Sequence, residues 1–155
     1  MAMNKALATK SWLLLPLAVL LLGVSAWPQD ATSMPVIQID ELLKILKSPK
    51  VDKPLLIQVG SHVLYSQAHI PGSEYIGPAS SDSGLKQLRQ RVASLPRNKF
   101  VVIYCGCCPW SHCPNIKPAA EALRAMGFTR FKALYIPDNF GTDWVDKGYP
   151  TAQGG

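Results

Sequence analysis

The chain is short of charge, of cysteine and of long apolar runs, and each shortage removes a class of protein. Charged residues make up 17% of its 155 positions and hydrophobic residues 48%, which excludes an acidic disordered tail and a coiled coil. Four cysteines are too few to staple a disulfide-built miniprotein of this length. The longest apolar run, Trp12 to Val24, is about 13 residues with Pro16 inside it, short of the roughly 20 that a membrane span needs. Lys and Arg number 16 against 10 acids, but they nowhere form a run, so nothing points to nucleic acid as a partner.

That apolar run has a context. Lys5 and Lys10 precede it with no acid between them, and Val24-Ser25-Ala26 follows in the small-x-small pattern of a cleavage site. A positive end, a short apolar core and a small-residue exit read as a secretory signal peptide over 1–26. No cysteine follows the run to carry a lipid, and the segment would hold the protein to a membrane only if it stayed uncleaved. Cleavage takes two lysines and leaves 14 cations against 10 acids, a mild +4. The expected location is periplasmic or secreted, where thiols pair unless something protects them.

Residues 27–35 read as a leader loop. Asp40 is expected to cap a helix whose face is Leu42, Leu43, Ile45 and Leu46, ended by Ser48-Pro49. Leu55–Val59 is a short apolar run that suits a buried strand, and Ile70-Pro71-Gly72-Ser73 is a turn. Leu85, Leu88, Val92 and Leu95 predict a helix over 84–95, stopped by Pro96. Phe100–Tyr104 is apolar throughout, as a central parallel strand should be. A helix over 119–126 with Gly127 at its C-terminal end, a strand over 131–135 and a short helical turn around Asp143 and Trp144 complete the chain. This alternation predicts one α/β domain over 36–150, a mostly parallel central sheet flanked by helices, with 151–155 as a tail. Reactive loops of such sheets lie at the carboxyl ends of strands, which is where Cys105 stands.

All four cysteines lie in one loop of nine positions, Cys105-Gly-Cys-Cys-Pro-Trp-Ser-His-Cys113. Inward-pointing loop amides and the positive end of the next helix would favour the Cys105 thiolate, the reactive form of the thiol.

Two stretches carry a resemblance. The first is Leu56-Ile-Gln-Val-Gly60 with Tyr65-Ser-Gln-Ala-His-Ile-Pro-Gly-Ser73. The second is Val101-Val-Ile-Tyr-Cys105, then Ala119-Ala120, Leu123, Gly127-Phe128 and Trp144, Gly148, Pro150. Together they resemble a single-domain rhodanese-like (thiosulfate sulfurtransferase-like) protein over roughly 36–150. The resemblance implies that Cys105 takes sulfane sulfur from a small donor, holds it as a persulfide and gives it to a thiol or cyanide acceptor, with no cofactor. It implies that the loop Gly106, Cys107, Cys108, Pro109, Trp110 and Ser111 cradles the outer sulfur. It also implies a structural role for His69 in its turn, and Trp144 is expected in the core.

The sequence departs from that pattern in places. Gln58 and Gly60 stand where the family carries Asp and Arg. Trp110 takes the place of the loop arginine, and about five extra residues separate Ser111 from the following helix. Between Cys105 and Lys117 only His112 could carry positive charge. An anionic donor would then rest on backbone amides or on Lys117, and the missing arginine argues against phosphatase-like or arsenate-reducing chemistry. Cys107, Cys108 and Cys113 are additions to the family pattern, and three roles stay open for them. One is a resolving thiol served by a thiol–disulfide reductant. Another is a soft-metal site of Cys107, Cys108 and Cys113 with His112, although paired C-x2-C units are absent. The third is a disulfide from Cys107 or Cys108 to Cys113. The alternative to an enzyme is therefore a redox or soft-metal-binding module on the same scaffold.

Overall fold

Five short strands carry the site: β1 (Val36–Ile37), β2 (Leu55–Gln58), β3 (Glu74–Tyr75), β4 (Val101–Tyr104) and β5 (Phe131–Leu134). They form one parallel sheet in the order β1-β5-β4-β2-β3. This computed structural model describes residues 33–155; the segment 1–26 and most of the leader lie outside the described residues. β4 is the centre, paired to β2 from Leu55↔Val101 to Gln58↔Tyr104 and to β5 from Val101↔Phe131. Its Val101, Val102 and Ile103 are fully buried, the reason the segment is apolar without alternation.

The pleat sends alternate side chains to two cores. Ile57, Val59, Val101, Ile103 and Cys105 face one core, with Leu88 and Val92 of α3 (Asp82–Val92) and Ala119 and Leu123 of α4 (Ile116–Ala125). Leu56, Val102 and Tyr104 face the other, with Leu42 and Leu43 of α1 (Ile39–Lys47) and with Trp144. The expected α/β architecture with both faces covered is the one found. Cys105 thus projects toward the α3–α4 layer.

Element ends differ from the sequence expectation for local reasons. Gln38, not Asp40, precedes α1; Asp40 sits in the first turn, where its charge suits the helix dipole, and pairs with Lys44 at 3.3 Å. α3 begins two residues early because the Ser81 side chain accepts the Gly84 N–H at 3.1 Å. α4 begins at Ile116, three residues early. Pro118 is tolerated there because first-turn amides have no partner inside a helix. Gly127 ends α4 as expected: its φ is +82°, its N–H reaches Arg124 O at 2.9 Å and that of Phe128 reaches Leu123 O at 3.1 Å. The short α2 (His62–Gln67), β1 and β3 were not expected. A two-residue strand or a six-residue helix carries too few positions to display a period. Trp144 lies fully buried in the single helical turn Gly141–Val145 and donates from Nε1 to Pro150 O at 2.9 Å. Among the described residues no helix is long and apolar enough to cross a membrane.

Candidate functional site

The chain leaves β2 toward the β3 edge and leaves β4 toward β5, in opposite directions across the sheet. Between those two carboxyl ends such sheets form their crevice, and here it holds Gly60 and Cys105. A Cβ on Gly60 would lie 2.6 Å from Cys105 Sγ, so the place where an arginine was expected has room only for glycine. Gln58 ties the two strand ends together: Nε2 donates to Cys105 O at 3.2 Å and Oε1 accepts the Gly60 N–H at 3.1 Å. Both departures from the family pattern therefore serve the packing of Cys105.

Gly106 turns the chain sharply with φ +70°, and its missing Cβ lets Phe140 approach: the Phe140 N–H donates to Gly106 O at 2.9 Å. The loop then forms one 3-10 turn, Trp110–His112, and enters α4 through Cys113 and Asn115. This path folds the sulfurs over one another. Cys105 Sγ is 2.9 Å from Cys107 Sγ, which is 3.5 Å from Cys108 Sγ. The sulfurs of Cys105, Cys107 and Cys113 all lie within 4.8 Å of one another. All four are free thiols.

Asn115 organises the group. It precedes α4 yet does not cap it with its side chain. Its Nδ2 points instead at Cys105 Sγ (3.4 Å) and Cys107 Sγ (3.7 Å), and its Oδ1 accepts the Ser80 N–H at 2.9 Å. The residue is buried. Sequence reasoning passed over it, although a polar Asn between a Cys-Pro pair and an amphipathic helix was the available signal.

The charge distribution differs from the one expected. The neighbouring Cys113, then burial, then Cys107 push the Cys105 thiol well above the ordinary thiol range. The Cys113 thiol is lowered from 9.0 to about 5, first by the adjoining Cys105 thiol and, against its burial, by the backbone N–H groups of Asn115 and Ile116. Cys113, not Cys105, stands directly before α4 and receives its free amides. Burial first, then Cys107 and the Cys113 charge, push Cys108 up to about 12. These shifts favour the anion on Cys113 over Cys105 in the reduced cluster.

An open cleft of about 470 Å³ lies beside the loop, lined by Gly106, Cys107, Cys108 and Pro109 from one side and by Leu64, Ala68, Asp138, Phe140 and Val145 among others. Of the expected cradle, Trp110 and Ser111 are not in its lining. Trp110 sits edge-on to Tyr135 at 5.2 Å and packs against the core. Ser111 Oγ lies 2.9 Å from His112 Nδ1, both exposed. His112 therefore stands apart from the sulfur trio, and the three convergent thiols are Cys105, Cys107 and Cys113 rather than the set with Cys108. Cys105 itself is buried beneath Cys107 and does not line the cleft. Among the described residues no lysine or arginine lines it, and the Lys117 ammonium lies 4.0 Å from Glu121 on the exposed face of α4.

The turn before the crevice is structural. His69 is buried, stacks on Tyr65 at 3.9 Å and has Nδ1 2.8 Å from Tyr65 O. Tyr104, beside Cys105, holds the turn: its hydroxyl accepts the Ile70 N–H at 3.2 Å and lies 2.7 Å from Ser73 Oγ.

Comparisons agree with this geometry. The rhodanese-like domain of an Anabaena protein superposes with TM-score 0.58 at 19% identity, covering 78% of this chain and 80% of that one. A thiosulfate sulfurtransferase from Pseudomonas aeruginosa gives 0.55 at 23% identity over 79% of this chain. The protein EanB gives 0.55 at 19% identity over 78%. The chain spans only 20% and 28% of the length of those last two, and at these identities they speak for the fold. No curated protein matches the sequence significantly. The sequence model of the Rhodanese-like domain matches residues 38–138, well over half of the chain, and the chain belongs to that family.

Proposed function

We propose that the protein is an exported sulfurtransferase that carries sulfane sulfur on Cys105. The observation that carries this reading is the place of the Cys105 sulfur: in the crevice between β2 and β4, at the end of the central strand, in the space that the missing Cβ of Gly60 leaves for it. The Cys105 sulfur attacks the outer sulfur of a donor and passes its proton to the departing donor sulfur. The donor S–S bond breaks, the donor leaves as a thiol, and Cys105 holds a persulfide. An acceptor thiolate or cyanide then attacks the outer sulfur, the Cys105 S–S bond breaks, and the Cys105 thiolate returns and takes up a proton.

The cleft selects the donor. Its lining offers Leu64, Ala68, Pro109, Phe140 and Val145 but no cation, and it includes Asp138. A small organic persulfide suits it better than the thiosulfate dianion, which would meet like charge without a partner. The signal-peptide pattern over 1–26 supports a periplasmic or extracellular setting, in which a thiol–disulfide reductant would keep the loop reduced.

The test is intact mass spectrometry of the reduced protein before and after a persulfide donor. A gain of about 32 Da that is lost on reduction and absent in Cys105→Ser is expected for persulfide chemistry. Full sulfur transfer by Cys105→Ser would sink the reading.

A further inference from the structure

The trio Cys105, Cys107 and Cys113 has a geometry that sulfur transfer does not require. One thiol suffices to carry sulfur, yet three sulfurs lie within 4.8 Å of one another. An ion bound equally by three sulfurs at about 2.3 Å needs them about 4 Å apart, which this spacing accommodates with small rotations. The donor set is sulfur alone: among the described residues no carboxylate or imidazole joins the cluster. Pure thiolate sites select soft ions.

The number of donors narrows the ion. Cys108 lies toward the cleft and outside the trio, and His112 is turned to Ser111. Zn(II) in closed sites takes four protein ligands, and the common iron–sulfur clusters take four per cluster. Monovalent copper is content with three thiolates in a plane. Shielding fits as well, since Cys105 is buried and Cys107 and Cys113 pack against the apolar core under α4. Three thiolates around one Cu(I) leave net negative charge. Asn115 Nδ2 donates to two of the sulfurs, and the amides opening α4 face the third. Such outer hydrogen bonds are what a thiolate–metal site uses to hold its ligands.

We propose that Cys105, Cys107 and Cys113 form a three-coordinate site for Cu(I), and that its occupancy excludes sulfur transfer because Cys105 serves both. Binding replaces the thiol protons by the ion; no electron is exchanged. The site stands on its own geometry, and only its exclusion of sulfur transfer rests on the sulfurtransferase reading.

The experiment uses the reduced, purified protein under argon, with Cu(I) supplied as its bathocuproine disulfonate complex. Loss of the chelate colour reports affinity, native mass spectrometry reports stoichiometry, and copper X-ray absorption counts sulfurs. A single Cu(I) per chain with three sulfurs at about 2.3 Å is expected. Cys107→Ser and Cys113→Ser should each weaken binding by more than about 100-fold, Asn115→Ala by about 10–100-fold, and Cys108→Ser by no more than about threefold. Melting curves of each variant separate lost ligands from lost folding, and the sulfur count on the unaltered protein needs no variant. No copper taken from the chelator would overturn the proposal, as would four sulfurs around copper, or equal damage from Cys108→Ser and Cys113→Ser. A protein that binds copper but forms no persulfide in its metal-free state would refute the sulfurtransferase reading and leave this one standing.

Discussion

Replacing Gly60 by alanine perturbs the cysteine cluster while leaving every cysteine in place. Gly60 has an ordinary negative φ, so the backbone accepts alanine, but the new Cβ would lie 2.6 Å from Cys105 Sγ and 3.1 Å from Gln58 Nε2. Optimal contact lies near 3.5–4.0 Å, so the sulfur must move by about 1 Å. It cannot move toward Cys107, already 2.9 Å away. Overpacking of this kind costs about 1–3 kcal/mol, a fall in Tm of roughly 3–15 °C for a domain of this size. A reacting atom misplaced by about 1 Å loses on the order of 100-fold in rate. Gly60→Ala should therefore stay folded at 25 °C and lose far more persulfide formation than stability, read by the initial rate of sulfur loading beside a melting curve. Gly72→Ala is the control: its φ is +77° with no atom near the added Cβ, so it should lower Tm through backbone strain and load sulfur normally. A Gly60→Ala protein with unaltered Tm and a loading rate within about twofold would refute the placement of the Cys105 sulfur against residue 60.

Two further predictions follow from the same cluster. In the reduced, metal-free protein, alkylation of Cys113 should follow its lowered pKa, half-maximal near pH 5 and flat above it, whereas Cys108, pushed up to about 12, should still be climbing at alkaline pH. Cys105→Ala removes the largest stabiliser of the Cys113 anion and should move that inflection upward; fragment-ion assignment of iodoacetamide adducts reads it, and a Cys113 rate that rises about tenfold per pH unit from 6 to 8 contradicts the lowered pKa. Tyr104→Phe strips the buried Ile70 N–H and Ser73 hydroxyl of their shared partner, at a cost of about 1–3 kcal/mol seen as a lower Tm; an unchanged Tm would show that the turn does not depend on that hydroxyl.

The sequence by itself determined the class of fold and put Cys105 at the carboxyl end of the central strand. Buried parallel strands must be apolar on both faces, so Val101–Tyr104 announced the central strand, and a cysteine directly after it had to lie at the reactive edge. The Gly127 helix end was equally legible, because one residue type and a local pair of hydrogen bonds specify it. Trp144 is buried as expected, and His69 and Trp144 each bond a carbonyl nearby in the chain, Tyr65 O and Pro150 O.

Only the tertiary structure decided what depends on atoms distant in the chain. Gly60 reads as a lost arginine until the end of β2 is laid beside β4 and the Cys105 sulfur fills the space. Which three of four neighbouring cysteines converge depends on the positive φ of Gly106 and the turn Trp110–His112, which spacing in the chain does not reveal. Asn115 gains its role only because α3's approach supplies the Ser80 amide on one side and the folded loop supplies sulfurs on the other. The Cys113 thiol is lowered because three-dimensional packing, not order in the chain, sets it beside the Cys105 thiol first and the Asn115 and Ile116 amides second.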